Sequence, residues 1–550
     1  MSSVRKSWSK VIRKIGAVLS ISIAAMLMSA SAGDPFETSK QLEIFTAVLR
    51  EVQTQYVDDI SAEQAVGTAI KGMLKSLDPY TVYYPEDQIE DVRLLQTGEY
   101  GGVGCVIQKV DGAIMISEVN DQGPAFTAGL RVGDVLTKVG DTDLNGKSIS
   151  DVSTLLKGTP GTEVVLHVDR FGEAPMTLTF NRAKISKDAV PYYGIRDDGV
   201  GYVYLESFTD KASRQVKEAL LDLKKQNPKG IILDLRGNGG GLLMEAVKII
   251  SFFSDTQDTL VSTRGKGGAI QDVYKKSAKT IFPDLPVAVL IDGGSASASE
   301  IVAGAMQDLD RGVILGQKSF GKGLVQQVHP LPFGAQMKVT IAKYYTPSGR
   351  CIQKINYDRD ENGKRMAKSA QHTFQTKGGR EVIDGDGVHP DSTLSEEFYP
   401  EFVAALASEG LDLKFAGRAL LGLDPAEDAV TFEVSDELWE AFTTFLGEAD
   451  FDYESGSERA LEELAERASY LDYLEVEDLE QLRATIKERK GAVLDGDGEG
   501  IREFLADYLV QKNFSLRGSL ERGMHKDTVV SQASQILLSP NTTAQLLSVR

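Results

Sequence analysis

The chain has 550 residues, of which 42% are hydrophobic and 25% charged, and its formal net charge is −20. This length predicts three or four domains, and the composition is that of an ordinary globular protein. The acidic balance argues against nucleic acid and anionic lipid surfaces as partners. The two cysteines, Cys105 and Cys351, do not make a disulfide framework, and two buried small apolar side chains are favoured over a pair.

The first 32 residues have the layout of a secretory signal peptide. Five basic residues between positions 5 and 14 precede an apolar run from Ile15 to Met28, and a small-residue site ends at Ala32. The run is short for a membrane-spanning helix, which needs about 20 residues. We therefore expect cleavage after Ala32 and export to the periplasm or cell envelope. A retained anchor, which would keep the protein near the membrane, is the alternative.

Residues 33–95 are predicted to form a helical N-terminal region. Between positions 36 and 75, apolar residues recur at helical spacing on two successive helices. An exposed helical hairpin of this kind packs either against a partner subunit or within its own chain, and the pattern leaves both open.

Residues 96–183 contain short β-rich runs separated by Gly, Asp and Pro turns. The glycine-rich loop Tyr100–Val106 leads into a strand, and Gly123–Leu136 reads as a short helix, a turn and a strand. This pair of motifs resembles a PDZ domain, a β-rich α+β fold. The resemblance implies that backbone N–H groups of one loop bind a peptide's terminal carboxylate and that the peptide adds as a strand to the next β-strand. The implied loop residues are Gly102, Val103, Gly104 and Cys105.

Residues 184–395 alternate apolar strands with amphipathic helices, which predicts a parallel sheet covered by helices on both faces. Strands are expected near 199–205, 230–235 and 287–291, and a helix over Ala212–Lys225. A serine-rich turn follows the third of these strands. Because functional residues of such sheets collect at the strand C-termini, this turn is predicted to lie at the site.

The turn holds three serines interleaved with alanine, and Lys322 lies downstream between two glycines. A serine hydroxyl becomes a nucleophile when a neighbouring base takes its proton. A lysine can be that base once desolvation lowers its pKa from about 10.4 towards 7–8. The serine turn and Lys322 together therefore indicate a Ser/Lys hydrolase site.

Several other chemistries are disfavoured. The run 316–323 nearly spells a phosphate-binding P-loop, but Gly323 stands where a Ser or Thr would hold magnesium, and a β-like segment follows. The glycine-rich Arg236–Gly241 lacks dinucleotide-binding spacing, and no Gly-x-Ser-x-Gly elbow surrounds the serines. No His/Cys cluster has zinc spacing, and Ser/Lys chemistry needs no metal or other cofactor, so none is expected.

Four motifs occur in order behind the PDZ-like segment: Asp234–Gly241, Ser295–Glu300, Gly316–Gln326 and Tyr344–Arg350. Over roughly residues 35–395 the chain resembles the C-terminal processing peptidases, or tail-specific proteases, of the S41 serine peptidase family. The resemblance implies a multidomain α/β protein whose catalytic core is of the ClpP/crotonase-like type.

The resemblance also assigns roles to individual residues. Ser297, the middle serine, matches the nucleophile, Lys322 the general base and Gln326 the glutamine that positions the lysine. Ser295 and Ser299 are interpreted as turn and helix-cap residues. The backbone N–H of Ala298 matches one oxyanion donor, and Gly240 is expected to supply the other. In an extended segment, the even spacing of Lys322 and Gln326 would put both side chains on one face.

These expectations describe an exported serine endopeptidase that captures the free C-terminal tails of envelope proteins and cleaves them with loose site selectivity. Two alternatives stay open: a non-catalytic binding protein on the same scaffold, and a PDZ adaptor that scaffolds other envelope proteins. Residues 396–550 are predicted to be an acidic helical extension, and its segment 401–480 holds 23 acidic and 4 basic residues. The acidic runs are interpreted as solvated helix faces, and a homo-oligomer through the N- or C-terminal helical regions is expected.

Overall fold

The computed structural model describes residues 35–357, 371–394, 400–422, 428–468, 476–491 and 498–548. The chain divides into two compact units, residues 1–83 and 84–550. The predicted signal peptide lies outside the described residues. Within them, none of the helices combines the length and the apolarity needed to cross a bilayer.

The described part of the first unit is helical, as predicted. It contains α1 (Pro35–Gln55) and α2 (Ala62–Lys75), and the short strand β1 (Val82–Tyr84) lies at the boundary between the units. The N-cap of α2 is Ser61, whose side chain accepts the Gln64 N–H and so satisfies one donor of the first turn. Helix α1 buries none of its residues, and most of its apolar side chains are exposed.

The PDZ-like region consists of short strands with two helices between them and is preceded by one further helix. Its elements are α3 (Ile89–Thr97), β2 (Glu99–Gly102), β3 (Cys105–Val110), β4 (Ala113–Val119), α4 (Pro124–Thr127), β5 (Val135–Val139), β6 (Thr142–Asp143), α5 (Ile149–Leu156), β7 (Glu163–Asp169), β8 (Met176–Asn181) and β9 (Ala183–Ser186). The main sheet is antiparallel with the order β3-β4-β5-β7-β8, and β6 joins at β5. Strand β3 is therefore an edge strand of this sheet.

The region predicted to be catalytic is built on a mainly parallel sheet. Its elements are β10 (Tyr192–Ile195), β11 (Gly201–Tyr204), α6 (Ala212–Lys225), β12 (Ile231–Asp234), α7 (Leu243–Phe253), β13 (Val261–Arg264), β14 (Ile270–Tyr274), β15 (Val287–Ile291), α8 (Ala298–Asp308), β16 (Val313–Gly316), β17 (Leu324–Pro330), β18 (Gln336–Tyr345), β19 (Thr373–Gln375), β20 (Glu381–Ile383) and β21 (Ser392–Thr393). The central order is β10-β11-β12-β15-β16-β21, parallel except for the β10–β11 pair. Strands β17, β18, β13 and β14 pair antiparallel in a second sheet.

The C-terminal region is helical, as predicted. Its helices are α9 (Pro400–Ser408), α10 (Leu411–Ala419), α11 (Asp436–Glu448), α12 (Gly456–Ala468), α13 (Val476–Gly491), α14 (Gly498–Asn513), α15 (Ser515–Lys526), α16 (Thr528–Leu538) and α17 (Pro540–Leu546). Helices α9, α10, α11 and α14 share an apolar core in which Phe415 packs edge-on against Phe442 at 5.0 Å. Leu413 of α10 is fully buried against Val110 and Met115 of the PDZ-like sheet.

Both faces of the central sheet are buried, which is what near-continuous apolar strands require. Alternate residues point to opposite sides: Leu233 and Val289 lie in the core shared with α6, α7 and α8. Ile232 and Leu290 lie in a second core, whose other members include Met524 and residues of α16. The C-terminal helices thus supply one of the layers that cover the central sheet.

Candidate active site

The serine-rich turn connects the C-terminal end of β15 to the start of α8, as predicted for a functional turn of such a sheet. Ser295 and Ser299 are fully buried, whereas Ser297 is partly exposed. Ser297 has φ +56° and ψ −111°, a backbone conformation that non-glycine residues rarely adopt. The sharp reversal presents the middle serine, alone of the three, at the surface of the site.

Glu300, which the sequence reasoning did not single out, joins the predicted nucleophile to the predicted base. Its buried carboxylate accepts the backbone N–H of Ser297 and of Lys322 on one oxygen, each at 2.8 Å. The other oxygen accepts the Gly321 N–H at 2.7 Å and the Ser319 hydroxyl at 2.5 Å. Because they share one acceptor oxygen, the backbone nitrogens of Ser297 and Lys322 lie close to each other. Burial raises the pKa of this carboxyl, and the four donated bonds oppose that rise.

A spacing signal for Glu300 was present in the sequence. Serine followed three residues later by glutamate is the pattern of a capping box at a helix start. Here Ser297 is the residue before α8, and the Glu300 carboxylate reaches back to its N–H. The sequence pattern could therefore have found this bond, but not the three that come from the segment 319–322.

Tyr344 makes a second link between the two segments. Its hydroxyl lies 3.0 Å from the Ser297 carbonyl oxygen and 2.7 Å from the Lys322 carbonyl oxygen. Burial raises the pKa of this phenol well above its ordinary value, so the hydroxyl stays protonated and donates. Glu300 binds N–H groups and Tyr344 binds carbonyl groups, so together they hold both main-chain polar groups of Ser297 and of Lys322.

The glycine-rich turn after β12 packs against the serine turn. The Ser295 hydroxyl donates to the Leu235 carbonyl, and the Ser299 hydroxyl and Ala296 N–H both donate to the Asn238 carbonyl. Ser295 is thus a turn residue, as interpreted, whereas Ser299 joins the two turns and the helix cap is Ser297.

Gly240 lies directly against the predicted nucleophile. A Cβ atom at Gly240 would meet the Ala296 carbonyl oxygen at 2.6 Å, the Ser297 Cβ at 2.8 Å and the Ala298 nitrogen at 2.9 Å. The Gly240 N–H donates to the Asn238 side-chain oxygen at 2.8 Å. The predicted oxyanion donors, Ala298 and Gly240, are therefore neighbours, and an oxyanion at Gly240 would compete with the Asn238 side chain for its N–H.

The structure places Lys322 just before β17 and Gln326 within it. Strand β17 begins only at Leu324, and its pairing with β18 shifts register between Val325 and Gln326. The residue left unpaired at this shift is Ile341 of β18, so the shift does not interrupt β17, and the placement of the Lys322 and Gln326 side chains on one face stays a prediction. The Gln326 amide donates to the Thr340 hydroxyl at 3.3 Å. The roles of the Lys322 amine and of Gln326 stay predictions.

The predicted carboxylate-binding loop, Gly102–Cys105, joins β2 to the edge strand β3. Gly104 has φ +83°, and the carbonyl groups of Val103 and Gly104 accept the N–H groups of Ala125 and Asn120. Burial raises the pKa of the Cys105 thiol to about 12, so the thiol adds no negative charge beside a bound carboxylate. Both Cys105 and Cys351 are free.

Among the described residues, no group of three or more His, Cys, Asp or Glu side chains is arranged to hold a metal ion.

Family models match four parts of the chain. Residues 199–363 match peptidase family S41, and residues 115–170 match a PDZ domain. Residues 22–88 match the model described as the activating protease CtpB N-terminal domain. Residues 392–537 match the C-terminal helical domain of a probable PDZ-protease.

Two relatives from bacteria support the same assignment. A carboxy-terminal-processing protease of Bartonella bacilliformis is 37% identical over 363 residues, which are 64% of this chain and 82% of that protein. The carboxy-terminal processing protease CtpA of Bacillus subtilis is 30% identical over 327 residues, 59% of this chain and 68% of that protein. A solved photosystem II D1 C-terminal processing protease is 30% identical and covers 66% of this chain and 90% of that chain, with a TM-score of 0.38. The chain therefore belongs to the S41 family of carboxy-terminal-processing serine peptidases and carries a PDZ domain.

Proposed function

We propose that the protein is an endopeptidase that uses a Ser297/Lys322 dyad to cleave proteins captured by their free C-terminal tails. The observation that carries this proposal is the shared carboxylate of Glu300, which fixes the backbones of Ser297 and Lys322 beside one another. A dyad needs its two members at hydrogen-bond distance, and two residues 25 positions apart reach it only if their segments are held together.

In the proposed reaction, neutral Lys322 takes the Ser297 proton while the oxygen attacks the scissile carbonyl carbon. The N–H groups of Ala298 and Gly240 stabilise the resulting oxyanion, an effect of about 10²–10³ in rate for each donor. The protonated lysine then gives its proton to the leaving amine. Water hydrolyses the acyl-enzyme, with Lys322 again acting as the base, and Gln326 orients the lysine.

Tail capture is assigned to the PDZ domain. The loop Gly102–Cys105 would bind the terminal carboxylate, and the tail would pair with β3, whose outer edge is open in the PDZ sheet. The tail then selects the substrate, and the catalytic groove, which binds mainly backbone, tolerates different cleavage sites.

The proposed location is the periplasm or cell envelope, with envelope proteins as substrates. The support is the basic, apolar and small-residue order of residues 1–32. Self-association through the terminal helical regions is also proposed, because α1 leaves most of its apolar side chains exposed. Retention of the N-terminal segment would add membrane proximity.

The test combines labelling and cleavage. Wild-type protein is expected to react with a serine-directed fluorophosphonate and to shorten a tailed substrate, whereas Ser297→Ala does neither. Lys322→Ala and Lys322→Arg are expected to bind the tail but not cleave it, since a guanidinium does not lose its proton. A tailed protein that wild-type protein binds but never shortens would favour the non-catalytic alternatives. Cleavage by Lys322→Ala at the wild-type rate would show that Lys322 is not the general base and would refute the dyad assignment.

A further inference from the structure

The C-terminal helical region reaches the catalytic machinery through one carboxylate. Asp527 stands between α15 and α16 and is the N-cap of α16: its Oδ1 accepts the N–H groups of Val529 and Val530 at 2.7 and 3.0 Å. Its Oδ2 accepts a hydrogen bond from the Arg236 guanidinium at 2.7 Å. One side chain thus starts a helix of the C-terminal region and contacts the first residue of the glycine-rich turn.

Arg236 is held on its other side by the catalytic sheet. Its Nε and Nη2 donate to the buried carboxylate of Asp234, which also accepts the Tyr202 hydroxyl at 2.9 Å. Burial would lower the pKa of the guanidinium, but the charges of Asp234 and Asp527 outweigh burial and raise it. Arg236 therefore stays charged and bridges a carboxylate of the sheet and a carboxylate of the C-terminal helices.

The turn that begins at Arg236 leads to Gly240 within four residues. The Gly237 N–H donates to Asp292 at 2.9 Å, and Gly240 packs against Ser297 without room for a Cβ atom. Between them, Asn238 is fully buried and accepts the Gly240 N–H, so a shift of Arg236 would be transmitted through this short turn to the predicted oxyanion donor. Misplacement of a catalytic group by about 1 Å can cost about 10²-fold in rate.

We propose that Asp527 is a positioning residue for catalysis: through Arg236 it holds the turn 236–241 in the conformation that places Gly240 against Ser297. This inference rests on the proposed function, because it assumes that Gly240 serves the oxyanion. It also gives the C-terminal helical region a part in the reaction, in addition to covering one face of the sheet.

The test uses the full-length protein and the variant Asp527→Asn. Asparagine is as good an N-cap as aspartate, so the start of α16 is kept while the charge that pairs with Arg236 is lost. The matched control is Ser534→Ala, because Ser534 lies on the same helix, is fully buried and donates to Asp198 at 2.7 Å, a contact of the same interface. Both variants lose one polar contact between α16 and the catalytic region.

The measurements are kcat and KM on a tailed substrate, the rate of Ser297 phosphonylation by a fluorophosphonate, tail affinity and the thermal midpoint. Asp527→Asn is expected to lower kcat and the phosphonylation rate about tenfold, with KM and tail affinity unchanged. Ser534→Ala is expected to keep the wild-type kcat and to lower the thermal midpoint at least as much as Asp527→Asn does. A wild-type kcat in Asp527→Asn would overturn the proposal.

A second variant separates positioning from a general loss of stability. Arg236→Lys keeps the charge but cannot bridge two carboxylates as the guanidinium fork does, so it is expected to lower kcat similarly. Combining it with Asp527→Asn is expected to cause little further loss, because both changes break one link. If kcat of the double variant fell by the product of the two single-variant factors, the proposal would be overturned. If Ser297→Ala still cleaved, the proposed function itself would fail, whatever Asp527→Asn did.

Discussion

Replacing Glu300 by glutamine is predicted to disable catalysis much more than folding. Glutamine has the same shape, but one oxygen becomes an NH2 group that cannot accept a hydrogen bond. If the NH2 group replaces Oε1, the Ser319 hydroxyl can rotate and accept, and only the Gly321 N–H loses its partner. If it replaces Oε2, the N–H groups of Ser297 and Lys322 both lose theirs.

The orientation with the NH2 group at the Oε1 position destabilises the protein less, because it leaves only the Gly321 N–H without a partner. One buried N–H left unsatisfied costs about 1–3 kcal/mol, and the bonds that remain lose the help of a charged acceptor. Removing a buried charge offsets part of this cost, because burial already raises the pKa of Glu300. We therefore expect a stability loss of roughly 1–2 kcal/mol.

The expected effect on activity is larger, because loosening the segment 321–322 moves Lys322 relative to Ser297. We expect kcat and the phosphonylation rate of Glu300→Gln to fall about 10²-fold, the typical range for a general base that is no longer held in place. The matched control is Glu245→Gln, since Glu245 is also buried and accepts the Ser213 N–H at 2.8 Å, but belongs to α7. Urea unfolding and phosphonylation are measured on both variants. If Glu300→Gln and Glu245→Gln lost equal stability and kept equal activity, the conclusion that Glu300 positions the dyad would be refuted.

Four further outcomes are expected. Gly240→Ala forces a Cβ atom to 2.8 Å from the Ser297 Cβ at φ +99°, so phosphonylation should fall below about 1% of wild type while tail affinity persists. Tyr344→Phe removes the hydroxyl between two carbonyl groups, and kinetics and urea unfolding should show kcat about tenfold lower and stability about 1 kcal/mol lower. A chain ending at Leu394 exposes one face of the central sheet, and size-exclusion chromatography should show aggregation instead of a monodisperse species. The pKa of Glu300 is raised in the folded protein, so its stabilising contribution is complete below the ordinary glutamate pKa and is lost as pH rises through the folded pKa. Over that pH interval, the wild type should lose stability relative to Glu300→Gln. Urea unfolding measured as a function of pH tests this difference.

The sequence predicted the elements whose cause is local. The helix Ala212–Lys225 and the strand Val287–Ile291 have the predicted bounds, because their apolar periods and their flanking turns are properties of a few adjacent residues. Motif order likewise led to the S41 family and the PDZ domain, which the family models confirm. The sequence did not predict the bulge at Ile341 of β18, because a bulge depends on how two strands pair and cannot be read from residue types.

The amino-acid order alone thus determined part of the helices and strands, the family, and the serine turn as the candidate for catalysis. Only the tertiary structure decided what holds the predicted catalytic residues together. Glu300 gains three of its four hydrogen bonds from residues 319–322, and Arg236 meets Asp527 across 291 positions of sequence. The physical reason is the sequence distance over which each interaction acts. Side-chain periodicity and turn preference depend on a few adjacent residues, whereas shared hydrogen-bond acceptors and ion pairs depend on which layers of the fold pack together.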